Sequence, residues 1–187
     1  KAGGSNADCA GNPEGKRQTE KRQIVLVAAD YVKALGMTPH PEGGYFAENY
    51  RSGSVISPKG FSGNRSICTS IYFLLESGQY SALHRIKSDE IWHFYAGGPL
   101  EILEITREGK QKTTILGSDV LNGQKLSYVV PTGNWFGSRP APGCTFALVG
   151  CTVAPGFDFL DFEMPGRSAF LEKFPHLKDL IIELTHP

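Results

Sequence analysis

Two side chains that can move protons, His84 and Glu90, lie six positions apart in a stretch with the short alternating runs typical of β-strands. A carboxylate beside an imidazole orients the ring and favours the imidazolium, which suits a general base near neutral pH. We predict that the two lie on neighbouring strands across a short turn, with His84 as base assisted by Glu90. Tyr80, which alternation places on the same face as His84, or Tyr72 would supply the proton. The structural alternative is that His84 is a buried core residue whose hydrogen bond is made with Glu90.

An aromatic wall is predicted around these two groups. If Glu90 points into the interior, alternation turns Trp92 and Phe94 the same way. Phe136 is interpreted as part of the same core or pocket wall, not as a stacking platform for nucleic acid. Arg51, at the end of a predicted strand, can bind an oxyanion through two parallel hydrogen bonds. A mostly apolar pocket with a few polar groups is the usual form of a small-molecule site.

The elements that must position these groups are mainly short strands separated by Gly, Pro, Asn and Ser. The candidate strands are 45–51, 66–75, 81–86, 90–95, 100–106, 112–116, 124–130, 135–138, 145–153 and 157–163. This pattern predicts an all-β sandwich or barrel. Apolar residues at helical spacing predict a helix over 24–35 that ends at Gly36, and the tail 167–185 has a helical pattern broken by Pro175. The polar, Gly-rich segment 1–23 is predicted to be a flexible arm before a single domain over 24–187.

Length and charge exclude several classes of function. The 187 residues correspond to about one domain. Lys plus Arg and Asp plus Glu number 19 each, so the chain lacks the basic excess that nucleic-acid binding requires. The longest nearly apolar run, 145–155, is about half of the ~20 residues that a membrane-spanning helix needs. No secretory hydrophobic region follows Lys1, which favours a cytoplasmic over a secreted protein.

The spacing around the two candidate groups identifies a family. Gly78 is followed after five residues by His84, and Glu90 and Gly97 complete a pattern that resembles the first cupin motif, G-x5-H-x-H-x3-4-E-x6-G, except that Ile86 replaces its second His. The segments HPEGGYFAENYRS (40–52), SIYFLL (70–75) and SDEIWHFYAG (88–97) resemble the fifth cupin-type family, a domain of unknown function. This resemblance covers residues 24–175. It implies a double-stranded β-helix, or jelly roll, that is usually a homodimer.

The same resemblance bears on metal binding. Cupins ordinarily hold a metal with three His and one Glu, and Phe136 stands where the His of the second motif would be. Only His84 and Glu90 remain of the four, whereas a catalytic metal normally needs about three protein ligands. A third ligand would have to come from His40 or Asp161. We therefore expect no cofactor, with a divalent metal as the weaker alternative.

A second resemblance suggests a reaction. Residues 44–50 are similar to the G-F-F-x-E-x-F strand with which cupin-fold nucleotide-sugar epimerases hold their nucleotide, and this implies ligand contacts for Tyr45, Phe46 and Glu48. Those enzymes are metal-free and use a His base and a Tyr acid. The sequence thus favours a small-molecule cupin, an isomerase or epimerase acting on a sugar, nucleotide or nucleotide sugar. A non-catalytic binding or sensing protein and a metal-dependent oxygenase remain open.

Overall fold

The structure, a computed structural model, describes residues 26–186. Within that range the strands are β1 (Thr38–Pro39), β2 (Tyr45–Arg51), β3 (Val55–Ile56), β4 (Arg65–Ser66), β5 (Thr69–Glu76), β6 (Ser81–His84), β7 (Asp89–Gly97), β8 (Leu100–Ile105), β9 (Gln111–Leu116), β10 (Ser127–Val130), β11 (Trp135–Pro140) and β12 (Phe146–Ala154). The helices are α1 (Ala28–Ala34), α2 (Arg167–Lys173) and α3 (Lys178–Glu183), with short 3-10 turns at Val120–Asn122, Phe159–Asp161 and Pro175–Leu177. The arm predicted over 1–23 lies outside the described residues.

Two antiparallel sheets face each other. One has the strand order β1-β2-β5-β12-β7-β10 and the other β6-β11-β8-β9, while β3 and β4 form a separate hairpin. Their inner faces share a core that includes Phe73, Trp92, Phe136 and Val149, all 1% exposed or less. This is the jelly roll that the cupin resemblance implied, and it agrees with the all-β sandwich or barrel that the strand pattern predicted; the core residues of the strands are directed between the layers.

The helices cover the outer faces of the sheets. Helix α1 packs against the six-stranded sheet through a cluster that includes Ala28, Leu74 and Phe146. The C-terminal helices pack against the four-stranded sheet through a second cluster around Phe170 and Ile181. Both predicted helical segments are confirmed, and Gly36 follows α1 with a positive φ of 61°. Among the described residues, no helix has the length and apolar character needed to cross a membrane.

The predicted strand over 157–163 is wrong. Residues Phe159–Asp161 form a 3-10 turn, and the side chain of Asp158 caps it by accepting a hydrogen bond from the amide of Leu160 at 2.9 Å. The segment is tied to the rest of the fold by side chains: Arg65 donates to both carboxylate oxygens of Asp161 at 2.6 and 3.0 Å. The alternation of aromatic residues in this segment suggested a strand. In the structure the segment is instead irregular, and polar contacts hold it over one end of the sheets.

Candidate functional site

A cavity of about 340 Å³ lies between the sheets at the end covered by the 157–162 segment. Its walls are formed by β2, β5, β6, β7 and β12, by the turn that precedes β2 and by the segment after β12. The lining residues are His40, Glu42, Phe46, Glu48, Arg51, Thr69, Ile71, His84, Ile86, Glu90, Cys151, Val153, Phe157, Asp158, Phe159 and Phe162. A cavity of this size and mixed character suits a small organic molecule.

His84 is fixed in the cavity wall through its Nδ1 atom. Nδ1 lies 2.7 Å from the carbonyl oxygen of Ala82 and 2.9 Å from Oε2 of Glu42, so it carries a proton and donates it to these acceptors. The ring is stacked on Phe162 at 5.2 Å between centroids and contacts Phe136 at 4.2 Å. Because Nδ1 is engaged by Glu42 and Ala82, Nε2 is the ring nitrogen left to meet a ligand.

The partner of His84 is Glu42, whereas both the acid–base prediction and its structural alternative supposed Glu90. The predicted placement on neighbouring strands is wrong, because β6 and β7 belong to different sheets. Glu42 belongs to the turn before β2, where Gly43 has a φ of 118°. A Cβ at Gly43 would lie 2.1 Å from the carbonyl oxygen of Tyr80, so only glycine permits this close approach. The amide of Ala82 also donates to the Glu42 carbonyl oxygen at 2.9 Å. These contacts hold the turn against β6 and bring its carboxylate beside the imidazole.

Opposite charges stabilise this buried pair. Burial alone would lower the pKa of His84, but attraction to Glu42, the hydrogen bond that His84 donates to that carboxylate and the charge of Glu90 outweigh burial and raise the pKa. Burial likewise opposes ionisation of Glu42, yet His84 and then His40 hold the pKa of this carboxyl below its usual value. Each partner therefore stabilises the charged form of the other.

His40 lies on the other side of Glu42. The amide of Glu42 donates to Nδ1 of His40 at 3.3 Å, and Oε1 of Glu42 lies 3.5 Å from the same atom. Burial lowers the pKa of His40, and the charge of His84 adds to this effect against the attraction of Glu42. His40 is consequently neutral at neutral pH, and its ring meets Phe46 edge-on at 4.7 Å between centroids.

Glu90 faces the same cavity from β7 and is 8% exposed. Among the described residues it forms no salt bridge, and the group beside it is the thiol of Cys151 on the neighbouring β12. Burial and the charge of Glu42 raise the pKa of Glu90 to about 7, against the attraction of His84. This carboxyl group can thus give or take a proton near neutral pH.

Charged side chains stand at the mouth of the cavity. Arg51 donates to Glu48 through Nε at 2.9 Å and Nη2 at 2.6 Å, and through Nη1 to the carbonyl oxygen of Phe157 at 3.2 Å. In a regular strand, residues three apart face opposite sides. The pairing of β2 with β5 shifts between Glu48 and Tyr50, so Asn49 forms a bulge that turns Glu48 and Arg51 to the same side.

The structure separates the predicted site residues into those that line the cavity and those that do not. His84, Glu90, Phe46, Glu48 and Arg51 line it. Trp92, Phe94 and Phe136 belong to the core between the sheets, and Tyr45 packs in the outer cluster against α1.

Neither predicted tyrosine acid lines the cavity. Tyr72 lies on the outer face of β5, where its ring meets that of Tyr95 at 5.9 Å. Tyr80 precedes β6, so strand alternation does not extend to it. It packs with the C-terminal helices, and its hydroxyl lies 3.0 Å from Nδ1 of His186. The expected shared cavity for His84 and a tyrosine is therefore wrong.

The residues present do not fit the four-ligand cupin metal site. Ile86 and Phe136 occupy two of its positions, and Asp161, a candidate third ligand, is engaged by Arg65. His40 does enter the cavity, but across residues 26–186 no group of three or more His, Cys, Asp or Glu side chains is arranged to hold a metal ion. We derive no chemistry from a metal here.

Sequence reasoning missed several residues of the site. Glu42, Cys151 and Asp158 were not predicted, nor were the rings of the 157–162 segment. The available signals were the HPEGGY turn, whose two consecutive glycines indicate a close backbone approach, and the spacing of Phe157, Phe159 and Phe162 directly after the last strand.

The jelly roll, with its cavity between two sheets and His84 and Glu90 at the positions of the cupin motif, defines the class of protein as a cupin. Residues 29–165 match the family model described as "Cupin superfamily (DUF985)". The chain belongs to this family.

Three similar proteins support the assignment. A hypothetical protein from Leishmania major is 33% identical with a TM-score of 0.82, covering 87% of this chain and all of that one. Protein SO0799 from Shewanella oneidensis is 39% identical with a TM-score of 0.81, covering 87% of this chain and 99% of that one. The uncharacterized protein YML079W of Saccharomyces cerevisiae is 31% identical over 154 residues, which are 76% of this chain and 74% of the yeast protein.

Proposed function

We propose that this cupin binds a small carbonyl compound of about sugar size in its cavity and isomerises or epimerises it by proton transfer between the ligand and Glu90, with His84 as the hydrogen-bond donor. The observation that carries the proposal is the pairing of His84 Nδ1 with Glu42 in the wall of the cavity that Glu90 also lines. This arrangement supports a change of roles from the sequence prediction, because a histidine whose charged form is stabilised by a neighbouring carboxylate is better suited to donate a proton than to accept one.

The proposed step is abstraction of a proton from the carbon next to a carbonyl group. The C–H proton passes to a carboxylate oxygen of Glu90, and the electron pair of that bond forms the C=C bond of an enol. The carbonyl oxygen accepts a hydrogen bond and then a proton from Nε2 of His84. In isomerisation, Glu90 returns the proton to the neighbouring carbon while the hydroxyl group on the first carbon gives its proton to Nε2 of His84 and becomes the new carbonyl group. In epimerisation, water delivers a proton to the opposite face of the carbon, Glu90 releases its proton to water, and the enol oxygen returns its proton to Nε2 of His84. The ionised Glu42 stabilises His84 while it is charged.

The size and charge of the cavity bear on the ligand. A volume of about 340 Å³ is near the lower end of the ~300–1,000 Å³ range of small-molecule pockets, which favours a sugar over a nucleotide sugar. Arg51 at the mouth is already held by Glu48, so it is not a free clamp for a phosphate group. The predicted homodimer and the compartment of the protein stay predictions.

Solvent exchange tests the proposal. The protein would be incubated in D2O with a panel of reducing sugars and 2-hydroxy ketones, and deuterium at the carbon next to the carbonyl would be followed by NMR. We expect enzyme-dependent incorporation that His84→Gln and Glu90→Gln each reduce by about 100-fold or more, as for a lost acid–base group. The matched control is His93→Gln, since His93 bonds Thr152 outside the cavity at 3.1 Å. Incorporation that survives both cavity variants would overturn the assigned roles.

A second candidate is binding without catalysis. It is favoured by the position of Tyr72 and Tyr80 outside the cavity lining in the described part of the chain, because the His–Tyr pair implied by the epimerase resemblance is not assembled from these residues. A compound that raises the melting temperature but exchanges no deuterium at any pH between 6 and 8 would support this candidate.

A further inference from the structure

The charged side chains of the cavity are unequally paired. Arg51 is held by Glu48 through two nitrogens, at 2.9 and 2.6 Å. His84 is held by Glu42 at 2.9 Å. The third basic group on the wall, His40, is kept neutral by its burial. Among residues 26–186, each cationic group on the wall is therefore already paired with a carboxylate and is not free to neutralise an anionic ligand.

Two acidic groups on the wall have no such balance. Glu90 is 8% exposed, lines the cavity and has no salt-bridge partner within residues 26–186. Asp158 stands at the mouth, where it accepts a hydrogen bond from the amide of Leu160 but likewise forms no salt bridge in the described part of the chain. Glu90 still feels the charge of His84 and Asp158 that of Arg51, but the four acidic groups that the described residues place on the wall, Glu42, Glu48, Glu90 and Asp158, outnumber these two basic partners.

Aromatic rings surround the space between these groups. Phe157, Phe159 and Phe162 pack edge to face at 5.0 to 6.2 Å between centroids, and Phe46 lines the opposite wall on β2. The face of a phenyl ring attracts an organic cation, and this attraction strengthens when the cation is shielded from water. An anion would meet the same ring faces and the two acids unfavourably.

We propose that the ligand of this cavity carries an amine that is positively charged at neutral pH, selected by Glu90, Asp158 and the phenylalanine rings over phosphorylated or carboxylated compounds. This inference specifies the class of ligand for the proposed function. It rests on that function only in assuming that the cavity is the ligand-binding site. Electrostatic complementarity makes the selection, since a buried anion without a counter-charge loses its hydration and gains no partner.

Compounds matched in shape and different in charge test the inference. Binding to the full chain would be measured by calorimetry and thermal shift for choline and its uncharged analogue 3,3-dimethylbutan-1-ol, and for glucose and glucose 6-phosphate. We expect choline to bind about tenfold more tightly than its analogue, as a shielded cation–π site predicts, and glucose 6-phosphate to bind no better than glucose. Equal binding of choline and its analogue, no binding of choline, or preference for the phosphate would each overturn the inference.

Two charge-removing variants locate the effect. Asp158→Asn keeps the oxygen that caps the 3-10 turn and removes only the charge, and Glu90→Gln does the same inside the cavity. Each should weaken choline binding by about three- to tenfold and leave binding of the uncharged analogue within about twofold. The matched control is Asp179→Asn, an exposed residue of α3 far from the lining. No loss of choline binding in either variant would contradict the assignment. Deuterium exchange into an uncharged sugar would still uphold the proposed function if the amine preference fails.

Discussion

Nδ1 of His84 lies 2.9 Å from Oε2 of Glu42, and this contact joins strand β6 to a turn about forty residues earlier in the chain. The contact commits Nδ1 to Glu42 and leaves Nε2 for the ligand. It also couples the fold to pH, because each partner favours the charged form of the other. The glycine at position 43 makes the approach possible.

Glu42→Gln should destabilise the protein most in mildly acidic solution. The pKa of His84 is raised in the folded state, so its stabilising effect is complete below 6.5, its unperturbed value, and is lost as the pH rises through the folded value. Without Glu42, the imidazolium is buried without a counter-charge. We expect a loss of about 3 kcal/mol near pH 5.5 and a much smaller loss near pH 8, measured by urea unfolding. Glu163→Gln, which removes the exposed partner of Arg85, should cost under about 1 kcal/mol at both. A pH-independent loss in Glu42→Gln would contradict the ion pair.

Glu90→Gln should stabilise the protein in alkaline solution. The pKa of Glu90 is raised from 4.5 to about 7, so the folded state binds the proton more tightly than the unfolded state and stability falls as the pH rises through this window. Removing the ionisable group removes that loss. Above pH 7 the variant should exceed the wild type by up to about 3 kcal/mol, whereas below pH 4.5 the two should agree. Equal pH profiles of unfolding free energy for both proteins would refute this account.

Gly43→Ala should disrupt the turn that carries Glu42. A methyl group there would lie 2.1 Å from the carbonyl oxygen of Tyr80. This oxygen belongs to the backbone, so it cannot move aside as the end of a flexible side chain could. We expect a cost of about 3 kcal/mol or more in unfolding free energy. Gly60 has a similar positive φ of 89° with nothing within 4 Å of its added Cβ, so Gly60→Ala isolates the conformational cost of about 1 kcal/mol. Equal losses in the two variants would show that the contact with Tyr80 is unimportant.

Arg51→Ala should loosen the aromatic segment without unfolding the protein. The Arg51–Glu48 pair is partly exposed, so its loss should change the melting temperature by only a few degrees or less. The guanidinium also holds the carbonyl oxygen of Phe157, and amide hydrogen exchange across 157–162 should therefore accelerate. Arg139→Ala removes an arginine of comparable exposure, paired with Glu101 and Glu183, and should leave that segment unchanged. Unaltered exchange in Arg51→Ala would mean that other contacts hold the segment alone.

The strand pattern predicted an all-β sandwich or barrel, and the cupin resemblance added the jelly roll and the placement of His84 and Glu90 in its interior. Strand alternation is local, and the motif spacing positions both residues on strands of known direction. The predicted tyrosine acids failed because Tyr80 lies just before its strand begins and Tyr72 lies on the outward face. Whether alternation extends one residue further depends on where hydrogen bonding starts, which the sequence does not state.

The partner of His84 could not be predicted for a different reason. Its approach depends on a turn whose path is set by a tertiary contact, the fit of Gly43 against Tyr80. Contacts between distant segments depend on the assembled fold, and the sequence shows only that the glycines of the turn allow a close backbone approach. The irregular segment 157–162 was missed similarly, since the contact of Arg65 with Asp161 that holds it spans 96 positions.

The bulge at Asn49 shows how much a single backbone irregularity can decide. If the strand had no bulge, either Glu48 or Arg51 would point away from the cavity, and the entrance would carry a single unpaired charge. One surplus residue instead gives the entrance a neutral, self-contained pair. The charge at the cavity entrance thus depends on the extra residue in β2 as much as on which side chains the strand carries. Relatives that lack the extra residue should therefore bind ligands of a different charge even if they retain both Glu48 and Arg51.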